Sequence, residues 1–196
     1  MTVMETPERL LRAKAGSPAL VDVPPARFLM IDGSGSPDDS AFQDAIAALF
    51  SVAYAAKFTL RRVTGEDVKV PPLEGVFSGI EAFGEIDRAG LEWTLLLRLP
   101  DPIDDELVER ARAEVALRRA SPALRRIRVE RFAEGECAQV LHVGPYSTEP
   151  ATVALLHDFI HAQGLELRGR HHEIYLGDPR RCAPERLKTI LRQPVS

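Results

Sequence analysis

The sequence predicts an α+β fold with an antiparallel sheet, and two observations lead to that class. Two stretches with strand-like residues, 126–134 and 137–144, flank a tight turn at Glu134–Glu136, which is the pattern of a β-hairpin. Around this hairpin, further strand patterns alternate with amphipathic helix patterns. A hairpin joins antiparallel neighbours, so the pattern favours α+β over a doubly wound parallel sheet.

The N-terminal elements begin with a lead-in, residues 1–26, that contains one short helix. The apolar run 27–32 is a predicted strand, and the turn-rich "GSGSPDD" that follows it is a predicted flexible loop. Ser40 and Gln43 form an S-x-x-Q capping pattern at the start of a helix. Apolar residues at helical spacing carry that helix to about Lys57.

The middle of the chain starts with an irregular segment, 64–90, that prolines and glycines break repeatedly. Residues 91–99 then form a strong predicted strand that ends at prolines. The acids at 104–106 mark the start of a helix, where the helix dipole favours negative charge. Pro122 ends this half of the chain.

The C-terminal half continues from the hairpin into a helix over 150–162, with Gly164 as its C-terminal cap. A strand follows at 170–176. Pro184 suits the first turn of a last short helix.

Length and charge limit the domain organisation and the partners that can be expected. The 196 residues are assigned to a single domain, 1–196, with approximate halves at 20–120 and 121–196. The net charge of −4 gives no basic field for nucleic acid. Eight arginines within 110–131 are balanced by seven acids within 104–134, so a solvated face is predicted there, with no nucleic-acid partner.

Cysteine usage and hydropathy indicate a cytoplasmic protein. The two cysteines, Cys137 and Cys182, are too few for a disulfide framework, and reduced thiols are expected. Residues 1–16 lack an apolar signal core. The longest apolar run, 45–56, is shorter than the ~20 residues that span a bilayer. No membrane partner is therefore predicted.

The stretch "GRHHEIYLGDPRR", 169–181, raises the question of a metal site. Side chains on a strand alternate between faces, so His171 falls with Glu173 and Tyr175 while His172 faces the other way. The adjacent histidines cannot chelate one ion together, and the helical H-E-x-x-H signature is absent. We predict neither a metal nor a cofactor.

The same alternation makes Glu173 a candidate for acid/base chemistry. Ile174 and Leu176 form an apolar face suited to packing under helices, whereas Glu173 and Tyr175 form a polar, aromatic face. A carboxyl among apolar and aromatic groups has a raised pKa and can donate a proton near neutral pH. The alternative, a solvent-exposed glutamate on a wet sheet face, remains open.

Glu149 is the second candidate. It precedes Pro150 at a predicted helix N-terminus, with Tyr146 three residues earlier. Its alternative role is that of an acid that compensates the helix dipole.

Three segments, "HVGPYSTEPATVALLHDFIHAQG", "GRHHEIYLGDPRR" and "PERLKTILRQPV", together resemble the stand-alone GyrI-like small-molecule-binding proteins. The resemblance extends from about residue 20 to 195. It implies two pseudo-symmetric strand–helix–strand–strand modules that form one antiparallel sheet. It also implies helices on one face of that sheet and a ligand groove on the other, with Glu173 and Tyr175 pointing into the groove.

The family implies three kinds of function. Some stand-alone members are similar to hydrolases that open the cyclopropane of cyclopropanoid DNA-alkylating compounds with a pair of glutamates, which by motif are Glu149 and Glu173. The alternatives are non-catalytic binding of hydrophobic or cationic drugs, and a gyrase-inhibitor-like role. Which glutamate is acid and which is base stays open, as does the choice between monomer and homodimer.

The expected partner is a small hydrophobic or aromatic ligand. In place of the Trp pair that commonly follows "PLEG" in relatives, this chain has Val76 and Phe77. Phe77, Phe83 and Trp93 are considered as substitutes for that pair, with a core role as the alternative for Trp93. The predicted ligand-binding residues are Tyr146, Tyr175, His171, Phe77, Trp93 and Tyr54.

Overall fold

The computed structural model describes residues 7–78, 91–119 and 121–196. The helices in that part of the chain are α1 (Pro7–Leu10), α2 (Ser40–Thr64), α3 (Asp105–Arg118), α4 (Pro122–Arg126) and α5 (Glu149–Ala162). The strands are β1 (Ala19–Val23), β2 (Ala26–Ser34), β3 (Leu73–Ser78), β4 (Glu92–Arg98), β5 (Arg128–Phe132), β6 (Gly135–Val143), β7 (His171–Tyr175) and β8 (Lys188–Pro194). The α+β class is confirmed. The predicted hairpin is wrong, because β5 pairs with β2 whereas β6 pairs with β1 and β8, so the two successive strands are not neighbours.

The described residues divide into two compact units. The first unit comprises residues 7–25, 74–78 and 133–196, and the second comprises 26–73 together with 91–119 and 121–132. In the first unit the strand order is β1-β6-β8-β7-β3, accompanied by α5. In the second unit the order is β4-β2-β5, accompanied by α2, α3 and α4.

The second unit has an apolar core. Strand β4 is buried along most of its length, and the fully buried leucines 95–97 lie at its centre. Helix α2 extends to Thr64, well beyond the predicted end at Lys57, because Leu60 and its neighbours continue the buried face of the helix. The chain leaves the helix at Gly65, whose φ of 77° is the left-handed conformation that favours glycine.

Two sequence-based predictions at the start of α2 are wrong. The residue that precedes the helix is Asp39, and Ser40 is already helical, so the expected Ser40 capping pattern does not form. Gly33 does not lie in a flexible turn but in strand β2. A Cβ atom at Gly33 would lie 2.1 Å from the Trp93 ring, so glycine is required there by the indole that covers it.

The first unit has helix α5 on one face of its sheet. Val153, Leu156 and Ile160 of α5 pack against Val140 and Leu191 of the sheet. The other face carries a smaller apolar cluster of Leu10, Val23 and Cys137. Both cysteines are free, as predicted.

Three strands of the first unit occupy segments that the sequence pattern did not assign to strands. The helix predicted after Pro184 is limited to a 3-10 turn, Pro184–Arg186, and Lys188–Pro194 forms strand β8 between β6 and β7. Strands β1 and β3 lie in the segments predicted as lead-in and irregular. Along the described ranges, no helix combines the length and the hydropathy that a bilayer crossing requires.

Candidate active site

Strand pairing fixes which side chains share a face of the first unit. Glu173 pairs with Leu191, and Tyr175 pairs with Thr189. Directly opposed residues of an antiparallel pair project to the same side, and Leu191 packs under α5. Glu173 and Tyr175 therefore lie on the face that carries α5, which corrects the expectation that they point away from the helices.

Glu173 is held by its own strand. The Tyr175 hydroxyl donates a hydrogen bond of 2.7 Å to Glu173 Oε2. The Nε2 atom of His171 lies 3.7 Å from Glu173 Oε1. Burial lowers the pKa of His171 to about 3, with smaller contributions from the neighbouring His172 and His157, so the ring is neutral at pH 7. Tyr175 is therefore the donor that holds Glu173, beside an uncharged imidazole.

Glu149 is the first residue of α5 and is only 8% exposed. Thr189 hydrogen-bonds its side chain, and the Oε1 atom is buried without a hydrogen-bond partner among the described residues. The helix dipole favours an anion here by about 0.3–1 kcal/mol, which is less than one pKa unit. Burial outweighs the dipole, and the charge of Glu173 adds to it, so the pKa of Glu149 is raised far above its ordinary value.

The two glutamates titrate as one system. Burial also raises the pKa of Glu173, although the Tyr175 hydrogen bond and the charge of His172 oppose the rise. Two interacting buried carboxyls lose their protons in steps that belong to the pair. The pair therefore retains at least one proton at neutral pH and can both accept and donate.

Two tyrosines border the carboxyls. The rings of Tyr146 and Tyr175 meet edge to face with centroids 5.9 Å apart. Burial, reinforced by the charges of Glu149 and Glu173, raises the pKa of Tyr146 to about 12 and that of Tyr175 well above its ordinary value. Both hydroxyls stay protonated and remain hydrogen-bond donors at neutral pH.

A buried histidine fixes the loop that carries Tyr146 and Glu149. His142 Nδ1 lies 2.8 Å from the hydroxyl of Thr152 in α5, and its Nε2 lies 3.3 Å from the carbonyl oxygen of Pro145. The Thr148 hydroxyl also donates to the Pro145 carbonyl at 2.8 Å. These bonds tie the "GPYST" loop to the first turn of α5.

The opposite face of β7 is ionic. His172 pairs across the sheet with Arg192, and its Nδ1 lies 2.9 Å from Glu134 Oε2 while its Nε2 lies 3.0 Å from Glu74 Oε2. Arg192 Nη1 lies 3.2 Å from the same Glu134 oxygen. All four side chains are almost fully buried. The prediction that the adjacent histidines point to opposite faces is confirmed.

The predicted ligand-binding residues are divided between the two units, with Tyr146, Tyr175, His171 and Phe77 in the first and Trp93 and Tyr54 in the second. Phe77 is buried in β3, and a Cβ atom at Gly75 would lie 2.8 Å from its ring and 3.3 Å from the Tyr175 hydroxyl. Trp93 belongs to the second unit, is 1% exposed and packs edge-on against Phe42. It therefore has the core role that was the alternative to ligand binding.

Two other residues considered for ligand binding are Tyr54 and Phe83. Tyr54 is exposed on α2 of the second unit, where it stacks between Phe50 and Phe58 with ring centroids 6.2 Å apart on each side. Phe83 lies outside the described residues. Among the residues that are described, no three His, Cys, Asp or Glu side chains are grouped to hold a metal ion.

Sequence reasoning missed Thr189, Glu74, Glu134 and Arg192. Thr189 and Arg192 lie on β8, which proline had suggested to be helical. The signal that identifies β8 is its run of β-branched and apolar residues, "TILRQPV", which is typical of a strand. Glu74 and Glu134 lie in a loop-like and a turn-like pattern, and only the pairing of distant strands brings them to His172.

A family model for the GyrI-like small molecule binding domain matches residues 17–196. The crystal structure of an uncharacterized conserved protein from Listeria innocua is 40% identical, with 96% of this chain and 97% of that chain covered and a TM-score of 0.88. A hydrolase from Listeria innocua is 39% identical, with 96% of each chain covered and a TM-score of 0.85.

More distant similarity concerns the fold alone. The C-terminal domain of EcmrR is 12% identical, with 92% of this chain and 97% of that chain covered and a TM-score of 0.59. The curated proteins contain no match to the chain. From the match of the family model over nearly the whole length, the chain belongs to the GyrI-like small molecule binding domain family.

Proposed function

We propose that this protein is a hydrolase that opens the strained cyclopropane of cyclopropanoid DNA-alkylating compounds, with Glu149 and Glu173 as the reacting pair. The observation that carries the proposal is the pair itself: the buried Glu149 and the largely buried Glu173 have raised pKa values and are bordered by two tyrosines. A relative that is 39% identical is named a hydrolase, which supports an enzymatic role.

The chemistry needs one proton acceptor and one proton donor. Water attacks the ring methylene, a new C–O bond forms, and the strained C–C bond breaks. The electron pair of that bond flows to the dienone carbonyl oxygen, which becomes a phenol. One carboxylate takes a proton from the water, and the other carboxyl gives a proton to the oxygen, so the sum is the addition of one water.

The surroundings suit this division of work. A pair that holds one shared proton contains both a carboxylate and a carboxylic acid at neutral pH. The tyrosine hydroxyls supply further donors toward a developing oxyanion. Burial strengthens each of these interactions, because fewer water molecules screen them.

A second candidate function is the sequestration of hydrophobic or cationic drugs without turnover. The edge-to-face tyrosines beside a carboxylate favour it, because aromatic faces and a buried negative charge attract organic cations. In either case the protein would protect the cell from a toxic compound. The free thiols fit a reducing compartment, so we propose that it acts in the cytoplasm.

The decisive experiment is incubation with a cyclopropanoid compound that carries a spirocyclopropyl dienone. We expect the dienone absorbance to fall and mass spectrometry to show the ring-opened alcohol, with one water added. Glu173→Gln and Glu149→Gln should each lower the rate by at least ~100-fold, the scale of general acid–base catalysis. Glu166→Gln, an exposed glutamate after α5, is the matched control and should turn over normally.

The two candidate functions give different outcomes in that assay. Turnover by Glu173→Gln at the wild-type rate would exclude the catalytic role of Glu173. Thermal stabilisation by a panel of cationic aromatic dyes, with no product formed from any cyclopropanoid, would favour sequestration instead.

A further inference from the structure

A buried ionic cluster lies on the face of β7 opposite Glu173, and its residues take no part in the chemistry proposed above. It consists of Glu74, Glu134, His172 and Arg192. His172 lies at its centre, 2.9 Å from Glu134 Oε2 and 3.0 Å from Glu74 Oε2, and is 1% exposed. His172 and Glu173 are neighbours in sequence on opposite faces of one strand, so the cluster lies directly behind one of the two glutamates.

The charges of this cluster balance. Two carboxylates face the imidazolium of His172 and the guanidinium of Arg192. Arg192 also donates to Gln139 Oε1 at 3.0 and 3.1 Å and to the Leu10 carbonyl oxygen at 3.1 Å, so its donors are largely satisfied. A buried charge of this kind persists only when it is paired and hydrogen-bonded.

The ring of His172 is positively charged at neutral pH. Burial alone would favour the neutral ring, but Glu134 and Glu74 outweigh burial and raise the pKa of His172 to about 9. The charge of His172, together with that of Arg192, lowers the pKa of Glu134 to about 2 despite its burial. The cluster is therefore a fixed arrangement of charges around pH 7.

The cluster acts unequally on the two glutamates. Glu173 receives the Tyr175 hydroxyl at 2.7 Å and lies one residue from the His172 charge. Glu149 lies at the start of α5 with Thr189 as its hydrogen-bond partner and with one buried oxygen unpaired among the described residues. Both differences favour the anion at Glu173 and the neutral acid at Glu149.

We infer that His172, held between Glu134 and Glu74, is a positioning residue that keeps Glu173 the anionic member of the pair and leaves the shared proton on Glu149. The inference rests on the proposed function in one respect, because it assigns the two catalytic roles. Glu173 takes the proton from water, and Glu149 gives its proton to the substrate oxygen.

Other titratable or charged groups also face these residues, and each belongs to the electrostatic environment in which the pair titrates. Around Glu173 they are Glu149, Tyr146, Tyr175 and His171, with Asp178 beside Tyr146. Around His172 they are Glu74, Glu134, Arg192 and His171, with Arg168 on the Glu134 backbone and the Cys137 thiol next to Glu134.

The test is a carboxyl titration of the full chain without ligand. Glutamate is labelled with carbon-13 at the side-chain carboxyl, and the two resonances are assigned with Glu173→Gln and Glu149→Gln. In wild-type protein we expect Glu173 to lose its proton at lower pH than Glu149. The opposite order overturns the inference, whatever any further variant does.

The variant that tests His172 keeps the cluster balanced. In the double variant His172→Gln, Glu74→Gln one cation and one anion are removed together, and Glu134 remains paired with Arg192. The apparent pKa of Glu173 should rise, because the variant removes the His172 charge that opposes its protonation. A rise smaller than ~0.3 units contradicts the inference.

The control and the kinetics separate this inference from the proposed function. His161→Gln, an exposed histidine in the last turn of α5, should leave the titration unchanged. If ring opening occurs, its acidic limb should move to higher pH in the double variant by the same amount as the titration. A shifted titration without any ring opening would remove the hydrolase proposal and leave the role of His172 intact, whereas ring opening with an unshifted titration would do the reverse.

Discussion

The two units bury their strands in opposite ways. In the second unit, β4 is filled with Trp93 and the leucines that follow it, and the stabilisation comes from apolar surface removed from water. In the first unit, β7 buries two histidines and leaves only 15% of the Glu173 side chain exposed. Buried polar groups cost free energy unless they are paired, so this strand is stable only with partners from β3, β8 and the turn before β6.

This difference indicates which kind of strand can hold groups that transfer protons in a small fold. An apolar strand supplies stability but offers no group that moves a proton. A strand with ionic pairs on one face and a protonated carboxyl system on the other supplies reactive groups, and its stability depends on the pairing. The second unit thus resembles a scaffold, and the first unit holds the candidate site.

The largest effect is expected from opening the ionic cluster of the first unit. Arg192→Met leaves Glu134 and Glu74 buried with only His172 between them. Breaking a buried ion pair by removing one partner costs about 3–5 kcal/mol. Urea unfolding followed by circular dichroism should show a loss of this size in the free energy of unfolding.

The matched control for this change comes from the second unit. Arg118 and Glu114 form an exposed pair at 2.6 Å on α3, and Arg118→Met should cost at most about 0.5 kcal/mol. Equal losses in the two variants would mean that the buried cluster contributes no more than a surface pair.

The next effect concerns a glycine under an aromatic ring in each unit. Gly33→Ala would place a methyl group 2.1 Å from the buried Trp93 ring, and overpacking of this kind costs about 1–3 kcal/mol. The free energy of unfolding should fall, while the carboxyl titration of the first unit stays unchanged. A change in that titration would show that the contrast between the units is wrong.

Gly75→Ala is the counterpart of that change in the first unit. The new methyl group would meet the edge of Phe77 at 2.8 Å and the Tyr175 hydroxyl at 3.3 Å. We expect the Glu173 titration to shift upward, because the Tyr175 hydroxyl moves away from the carboxylate it stabilises.

A separate effect in the first unit is the pH dependence of stability that Glu149 produces. The folded protein raises the pKa of this carboxyl from 4.5 to about 9, so it binds the proton more tightly than the unfolded chain does. This contribution is complete below pH 4.5 and is lost as the pH rises toward 9, by up to about 1.4 kcal/mol per pH unit. Urea midpoints measured across this range should decline less steeply in Glu149→Gln than in wild type.

An exposed glutamate provides the control for that measurement. The same curve for Glu166→Gln should run parallel to wild type, because its carboxyl is exposed. Identical slopes in wild type and Glu149→Gln would mean that Glu149 ionises normally in the folded protein.

Much of the local structure follows from the sequence because it depends on short-range patterns. The alternation in "HHEIY" correctly separates the two histidines, and the acids before α3 mark its start, where the Asp104 side chain accepts a hydrogen bond of 2.8 Å from the Leu107 amide. Gly164, with φ of 73°, ends α5 as predicted.

The features that the sequence did not predict depend on distant pairing. Strand β8 contains Arg192 and Gln193, whose burial depends on hydrogen bonds to β6, to the N-terminal segment and to the loop between α5 and β7. The face on which Glu173 lies depends on the β7–β8 register, which places it beside Leu191 under α5. A single sequence does not contain that register, so the wrong face was expected.

The burial of Cys137 determines how readily electrophilic compounds can modify this protein at its cysteines. A thiolate is the nucleophile that electrophiles capture, and burial, with the charge of Glu134, raises the pKa of this thiol far above its usual range. The side chain is also completely inaccessible, beneath Leu10 and Val23. The Cys137 sulfur is therefore unreactive towards electrophiles. Of the two cysteines, Cys182, which is partly exposed in the loop beyond β7, is the one that an electrophile can reach.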